Sequence, residues 1–155
     1  MPLPPTWDLF GEDHLPHRLQ LLAKLIDRET ARQLQSEFAM SLAEWRVLAF
    51  VCAAGPASAA EVGNASAIDR AEVSRAVAKL ERDGLIRREA DARHRKRLIL
   101  EPTPAGRESF CRIRDRRRSF FAAMMQDLPV AARADLDAAL RTLALGLDRS
   151  AEATG

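Results

Sequence analysis

Residues 58–101 read SAAEVGNASAIDRAEVSRAVAKLERDGLIRREADARHRKRLILE, and this stretch decides the fold. It opens with two helix starts of one chemical type. Ser58-Ala59-Ala60-Glu61 and Asp69-Arg70-Ala71-Glu72 each set a capping side chain three residues ahead of a Glu. In such a box the cap oxygen accepts from an orphan helix N–H, and the Glu reaches back to the cap's own N–H. The spacing predicts a short helix from about Ser58 to Ala65 and a second from Asp69 to a stop at Asp83-Gly84. Glycine takes the left-handed cap conformation there without steric cost. Two strand-like runs follow, Leu85 to Ala90 and Lys96 to Glu101. The polar turn Asp91-Ala92-Arg93-His94-Arg95-Lys96-Arg97 lies at their junction, as expected of a hairpin. In the second run Leu98 and Leu100 share one face, and Arg97 and Ile99 take the other.

Outward from this stretch the pattern is helical. A third box, Ser41-Leu42-Ala43-Glu44, starts a helix that stops at Gly55-Pro56. Before it, Leu19, Leu22 and Ile26 fall at helical spacing, widened by Leu21 and Leu25, over a helix from about Pro16 to about Phe38. After the hairpin, Thr103 is placed as an N-cap with Pro104 in the first turn of a long helix. Phe110, Ile113, Phe121, Met124 and Leu128 form its apolar stripe. Pro129 restarts the chain into a last helix, where Leu136, Leu140, Leu143 and Leu147 make a heptad-like seam. The expected fold is mainly α with a small β-hairpin wing, in the order α-α-α-α-β-β-α-α: a winged helix-turn-helix. Residues 1–14 read as an N-terminal arm, 41–102 as the winged helix-turn-helix, and 15–40 with 103–150 as a helical dimerisation region, in one compact domain overall. The first, fifth and sixth helices carry more apolar surface than a small winged helix can cover. The Leu136–Leu147 seam with Leu15, Leu19 and Leu22 is the expected interface between two copies; packing within one subunit is the alternative.

At 155 residues the chain is long enough for one core of normal size. No apolar run approaches the roughly 18 residues of a membrane span. The first ten residues lack the basic and apolar regions of a secretion signal. Two cysteines, Cys52 and Cys111, make no disulfide framework and fit a reducing cytosol, so a cytoplasmic location is expected. The net charge of +2 hides a marked asymmetry. Residues 1–69 carry 5 basic and 9 acidic side chains, residues 70–118 carry 16 and 8, and residues 119–155 carry 3 and 5. Positive charge confined to the middle third is the footprint of a phosphate-binding surface; the bland alternative is a solvated charged face.

On a helical wheel of residues 69–83, Val73, Ala76, Val77 and Leu80 fall together and should face the core. The other side presents Ala71, Arg75, Ala78 and Arg82, flanked by Ser74 and Lys79. Small residues there permit close approach to a DNA groove. Arg75 is a candidate for guanine O6 and N7 in the major groove. Ser74 and the helix N-terminus suit phosphates or base edges, and Arg70 sits in the first turn, where a recognition helix touches bases. At the hairpin tip Asp91 can fix the turn and orient Arg93, the candidate for a narrow, electronegative minor groove. Arg95 and Lys96 would hold flanking phosphates. The competing readings are an ordinary amphipathic surface helix and a solvated charged hairpin.

Four runs together resemble the MarR family of bacterial transcriptional regulators. They are Asp69-Arg70-Ala71-Glu72-Val73-Ser74-Arg75, Leu80-Glu81-Arg82-Asp83-Gly84-Leu85-Ile86, Asp91-Ala92-Arg93 and Thr103-Pro104-Ala105-Gly106-Arg107. The resemblance spans roughly Leu15 to Leu147. It implies a winged-helix homodimer whose terminal helices form the interface. Each subunit then offers one recognition helix and one wing to a pseudo-palindromic duplex site. Glu101-Pro102 before Thr103 departs from the family's more usual apolar residue or Ser followed by Leu. The family also binds small phenolic or aromatic acids between its dimer and DNA-binding parts. Arg114, in the run Arg112 to Arg118, and Trp45, with Trp7 of the arm, are the residues considered for such a ligand. For the arginines a DNA contact or a solvated face remains open, and for Trp45 so does core packing.

Other chemistries find little support. Cys52 lies in an apolar run, and neither cysteine matches the position of a reactive cysteine in the family's redox members. His14 and His17 near Glu12 and Asp13 lack further metal-ligand types nearby. No Gly-rich phosphate loop, catalytic Ser/His/Asp set or H-E-x-x-H run occurs, so neither an enzyme nor a cofactor or metal is expected. The reading is a DNA-binding regulator, expected to repress as a homodimer. A winged-helix module that binds protein partners and no DNA is the reading from a different class.

Overall fold

The computed structural model describes residues 3–11, 14–90 and 98–152. Its elements are α1 (Leu15–Phe38), α2 (Leu42–Ala53), α3 (Ala59–Ser66), α4 (Arg70–Arg82), β1 (Ile86–Ala90), β2 (Leu98–Pro102), α5 (Pro104–Met124) and α6 (Val130–Glu152). This is the expected order. The hairpin tip with Arg93, Arg95 and Lys96 lies outside the described residues. The chain divides into two compact units, Met1–Arg114 and Asp115–Gly155. No described helix is long and apolar enough to cross a membrane.

The core of the first unit draws on nearly every element in it. Leu34 comes from α1, Val47, Leu48 and Val51 from α2, and Val62 from α3. Helix α4 contributes Val73, Ala76, Val77 and Leu80, the four residues that share one side of the wheel, and Ile86, Leu100 and Ile113 close the cluster. Full burial of a Val, Leu or Ile side chain stabilises by about 1.5–3 kcal/mol, so this set fixes the rotation of α4 about its own axis. Arg46 of α2 pairs with Asp27 of α1 at 2.8 Å and ties the first two helices at their edge. In the arm, the Arg18 guanidinium lies 5.7 Å over the Trp7 ring, and the Thr6 carbonyl lies 2.8 Å from His17 Nε2. The arm therefore folds back on α1.

Caps decide where the helices begin. The Ser41 and Ser58 boxes are formed in both halves: each Ser oxygen accepts from the N3 N–H, and each Glu carboxylate accepts from the cap's N–H. The third box is modified. The Asp69 carboxylate accepts from the N–H groups of both Ala71 and Glu72, at 2.9 Å each, in place of the reciprocal pattern. A short carboxylate at the positive end of a helix makes charge-assisted bonds to two orphan donors by itself. At the other end of α4, Leu85 N–H donates to Leu80 O and Gly84 N–H to Glu81 O, with Gly84 at φ 71°. This is a Schellman motif. Helix α3 ends in the same way, with Ile68 N–H on Gly63 O, but its left-handed residue is Ala67 at φ 50°.

The wing strands pair antiparallel, Ile86 opposite Pro102 and Ala90 opposite Leu98. Leu100 is buried, whereas Leu98, on the same face two residues nearer the tip, is 53% exposed. An isolated bridge adds to the hairpin. Ala57 and Leu100 exchange both backbone bonds, at 2.8 and 3.3 Å, which fastens β2 to the turn before α3.

One residue separates β2 from α5. Thr103 N–H donates to Leu85 O at 3.1 Å, its hydroxyl donates to Gly84 O at 2.6 Å, and its Oγ1 accepts from Gly106 N–H at 3.0 Å. Gly106 is required at this junction. A Cβ there would sit inside the van der Waals envelope of the Leu85 carbonyl oxygen. The Thr-Pro-x-Gly run thus encodes a close approach between the start of α5 and the turn that follows α4.

In the second unit, Arg133 of α6 donates to the carbonyls of Leu128 (2.9 Å) and Met125 (2.8 Å), closing the turn between α5 and α6. Leu136, Leu140, Leu143 and Leu147 are 39, 43, 44 and 72% exposed. The expected seam is a solvent-facing apolar stripe.

Two substitutions test these junctions. Gly106→Ala gains about 1 kcal/mol of helix propensity but forces overpacking that costs about 1–3 kcal/mol. Since the clash is with backbone, net destabilisation is expected in a urea titration. Asp69→Ala should cost about 1 kcal/mol and accelerate amide exchange in the first turn of α4.

Candidate nucleic-acid interface

With four apolar residues of α4 held in the core, its remaining side chains have no choice of direction. Arg70, Ala71, Ser74, Arg75, Ala78 and Arg82 are all exposed. Among the described residues no carboxylate pairs with Arg70 or Arg75. Cations held on a rigid helix beside alanines can approach a polyanion without first breaking an ion pair.

These residues divide between two sides of α4. Arg70 and Ser74 line a cleft with Asn64 of α3, Arg88 of β1, and Leu98 and Leu100 of β2. Arg75 and Arg82 line a second cleft, together with Ser41, Glu44, Glu72 and Lys79. Recognition-helix residues that looked like one surface on the wheel therefore face two neighbours, the wing on one side and the start of α2 on the other. Arg88 did not stand out in the sequence. It sits in a strand rich in charges, and only the packing of β1 against α4 brings it to the cleft, where its Nε lies 3.2 Å from Glu81.

Lys79 differs from the other basic residues of α4. Its ammonium turns toward the protein, 2.8 Å from Asp83 Oδ2 and 3.3 Å from Glu44 Oε2. The Asp83 bond foremost, with the Glu44 contact opposing the cost of burial, holds its pKa above the ordinary lysine value. Arg87 on β1 is likewise held in its charged form by the cross-strand carboxylate of Glu101, 2.8 Å away, and by Glu89. The basic wing strand is thus internally balanced below the tip.

The two residues considered for a small ligand meet at one ring. Trp45 of α2 stacks on Phe110 of α5, with centroids 5.7 Å apart and planes 16° from parallel, and the Arg114 guanidinium lies 5.6 Å from the same ring. Trp45 and Phe110 also pack against the core as half-buried residues. Trp7 lies in the arm beneath Arg18. Cys111 is exposed and Cys52 half-buried, with burial pushing the Cys52 thiol above the ordinary cysteine pKa. Protonated thiols are poor nucleophiles, which fits Cys52 as a packed small side chain.

Comparison with known proteins agrees with this geometry. Residues 40–97, from the end of the α1–α2 corner through the hairpin tip, match the family model described as MarR family. No curated protein matches the sequence as a relative. Among solved structures, a MarR/EmrR family transcriptional regulator from Acinetobacter sp. ADP1 superposes with a TM-score of 0.77 at 20% identity, over 88% of this chain and 96% of that one. The transcriptional regulator BldR from Sulfolobus solfataricus has a TM-score of 0.71 at 24% identity, over 89% of this chain and 99% of its own. A MarR family regulator from Silicibacter pomeroyi has a TM-score of 0.72 at 25% identity, over 92 and 94%. All three are transcriptional regulators. Residues 40–97 thus resemble the MarR family, and over most of its length the chain has the fold of solved transcriptional regulators of that kind.

Proposed function

We propose that this protein is a sequence-specific DNA-binding repressor that acts as a homodimer on a pseudo-palindromic site. One observation carries the reading: the core clamps α4 so that Arg70, Ser74, Arg75 and Arg82 stand outward from the only strongly positive third of the chain. Arg75 reads a guanine edge in the major groove. Arg70 and Ser74 engage bases or phosphates at the start of the helix, and Arg82 engages backbone at its end. Arg93 enters the minor groove, with Arg95 and Lys96 on flanking phosphates. Occupancy of a site that overlaps a promoter excludes polymerase.

Exposed leucines support the dimer. Helix α6 offers Leu136, Leu140, Leu143 and Leu147, and α1 offers Leu15 and Leu22. Residues 15–40 and 103–150 then serve as the dimerisation region, and two-fold symmetry sets recognition helices about 34 Å apart, one turn of duplex. A small aromatic or phenolic acid would release the DNA by shifting the population of binding-competent dimers. Arg114 supplies a carboxylate partner, and Trp45 an aromatic face.

Gel shift against the protein's own upstream region and neighbouring promoters tests the reading. Retardation at low salt is expected, and no shift with any duplex would sink it. Arg75→Ala should cost about 1–3 kcal/mol on the preferred site and relax preference at one base pair. Equal losses on preferred and random DNA would remove Arg75 as a base reader. Arg93→Ala should weaken binding broadly and flatten the dependence of affinity on salt. For the ligand, calorimetric titration with benzoate should show binding that Trp45→Ala abolishes while the fold survives; unchanged binding would exclude Trp45 from the pocket.

A further inference from the structure

We infer that Lys79 is a positioning residue for the recognition helix, clamping α4 to the start of α2, and makes no phosphate contact of its own. This inference rests on the DNA-binding reading above and concerns how that reading head is aimed.

Three helix ends converge on one ammonium. Lys79 Nζ lies 2.8 Å from Asp83 Oδ2 at the C-cap of α4 and 3.3 Å from Glu44 Oε2 in the first turn of α2. It also points at Ala39 O, 3.5 Å away, in the left-handed residue that ends α1. Glu44 is buried, and the same Oε2 accepts from Ser41 N–H at 3.2 Å to complete the α2 capping box. One carboxylate thus both starts α2 and holds α4.

Each partner needs the lysine. A carboxylate at the C-terminal end of a helix opposes the macrodipole, so Asp83 is unfavourable there without a cation; Lys79 at 2.8 Å serves it far more closely than the exposed Arg82 at 3.9 Å. Buried Glu44 without a counter-charge would keep its desolvation penalty and lose its compensation. A phosphate that drew Lys79 away would leave both carboxylates beside the DNA. Arg75 and Arg82 meanwhile line the same open cleft of about 560 Å³, with the clamp at its edge. They can reach base edge and backbone together only if α4 keeps its tilt relative to α2.

The chemistry supplies a clean test, because glutamine also satisfies a capping box. Glu44→Gln therefore preserves the α2 cap and removes the charge that ties Lys79 to α2, leaving its bond to Asp83 within α4. The probes are the duplex that wild-type protein selects from a random pool, and poly(dI-dC) as random DNA. If Lys79 is a clamp, Lys79→Met and Glu44→Gln each lower the ratio of selected to random affinity about tenfold, the effect of misreading one base pair. Both leave the slope of log affinity against log salt unchanged, the double variant is no worse than either single one, and Lys79→Arg restores much of the ratio. If Lys79 instead contacts a phosphate, Lys79→Met weakens selected and random DNA alike and reduces the salt slope by about 1. Glu44→Gln, by removing one of the two carboxylates that draw the lysine away from the DNA, then tightens both. That pattern overturns the inference, as does an unaltered ratio in both variants. Should Lys79→Met fail to fold by circular dichroism, Glu44→Gln decides alone, since the two readings give it opposite signs. Failure of wild-type protein to select any duplex would overturn the DNA-binding reading itself.

Discussion

The burial of one side of α4 is the constraint on which the rest depends. Val73, Ala76, Val77 and Leu80 are each no more than 3% exposed. They meet side chains from α2, α3 and the wing in one cluster. A helix fixed on that side has its opposite side fixed as well. The outward set of Arg70, Ser74, Arg75 and Arg82 is therefore a consequence of core packing. Its electrostatics follow, because the helix backbone beneath these cations is already ordered, and only their side chains lose freedom when they meet a charged partner.

The surrounding elements serve the same end by different chemistry. Helix α3 has only eight residues, too few to be stable alone. Its capping box and Schellman turn supply local bonds, and Val62 supplies the anchor. The wing is a two-stranded hairpin, marginal by itself, and the Ala57–Leu100 bridge with the burial of Ile86 and Leu100 makes it part of the core. Around these, the ion pairs Arg46–Asp27, Arg88–Glu81 and Arg87–Glu101 are partly exposed. Such pairs contribute on the order of 1 kcal/mol or less, enough to favour one register without carrying the fold.

What could be read from residue order and what could not divides along physical lines. Caps, stops and apolar spacing are local, and they placed the described elements to within two residues, including the α4 face that packs inward, except at the end of α5, which stops at Met124 so that Leu128 lies in the following turn and not on the helix's apolar stripe. Four features needed the folded chain. The Ala57–Leu100 bridge has no period because it is a single residue. The left-handed residue after α3 is Ala67, and the usual signal there, glycine, is absent. Lys79 belongs to the basic side of the wheel by angle, yet a partner 35 residues earlier in sequence turns its ammonium inward. Arg88 entered the cleft through the packing of a strand whose sequence is mostly charge. Long-range pairing of long side chains is what a wheel cannot show.

Thr103 has a mechanical meaning beyond capping. It is the only residue between β2 and α5, so just two soft torsions connect a wing strand to a helix of 21 residues. Its N–H, hydroxyl and Oγ1 are all engaged, with Leu85, Gly84 and Gly106. A joint with so few degrees of freedom, all of them bonded, has no slack. The first turn of α5 cannot pivot without dragging the base of the wing, and with it the Gly84–Leu85 turn that follows α4. At this corner the molecule behaves as a crank, so a small rotation at one arm arrives undamped at the other.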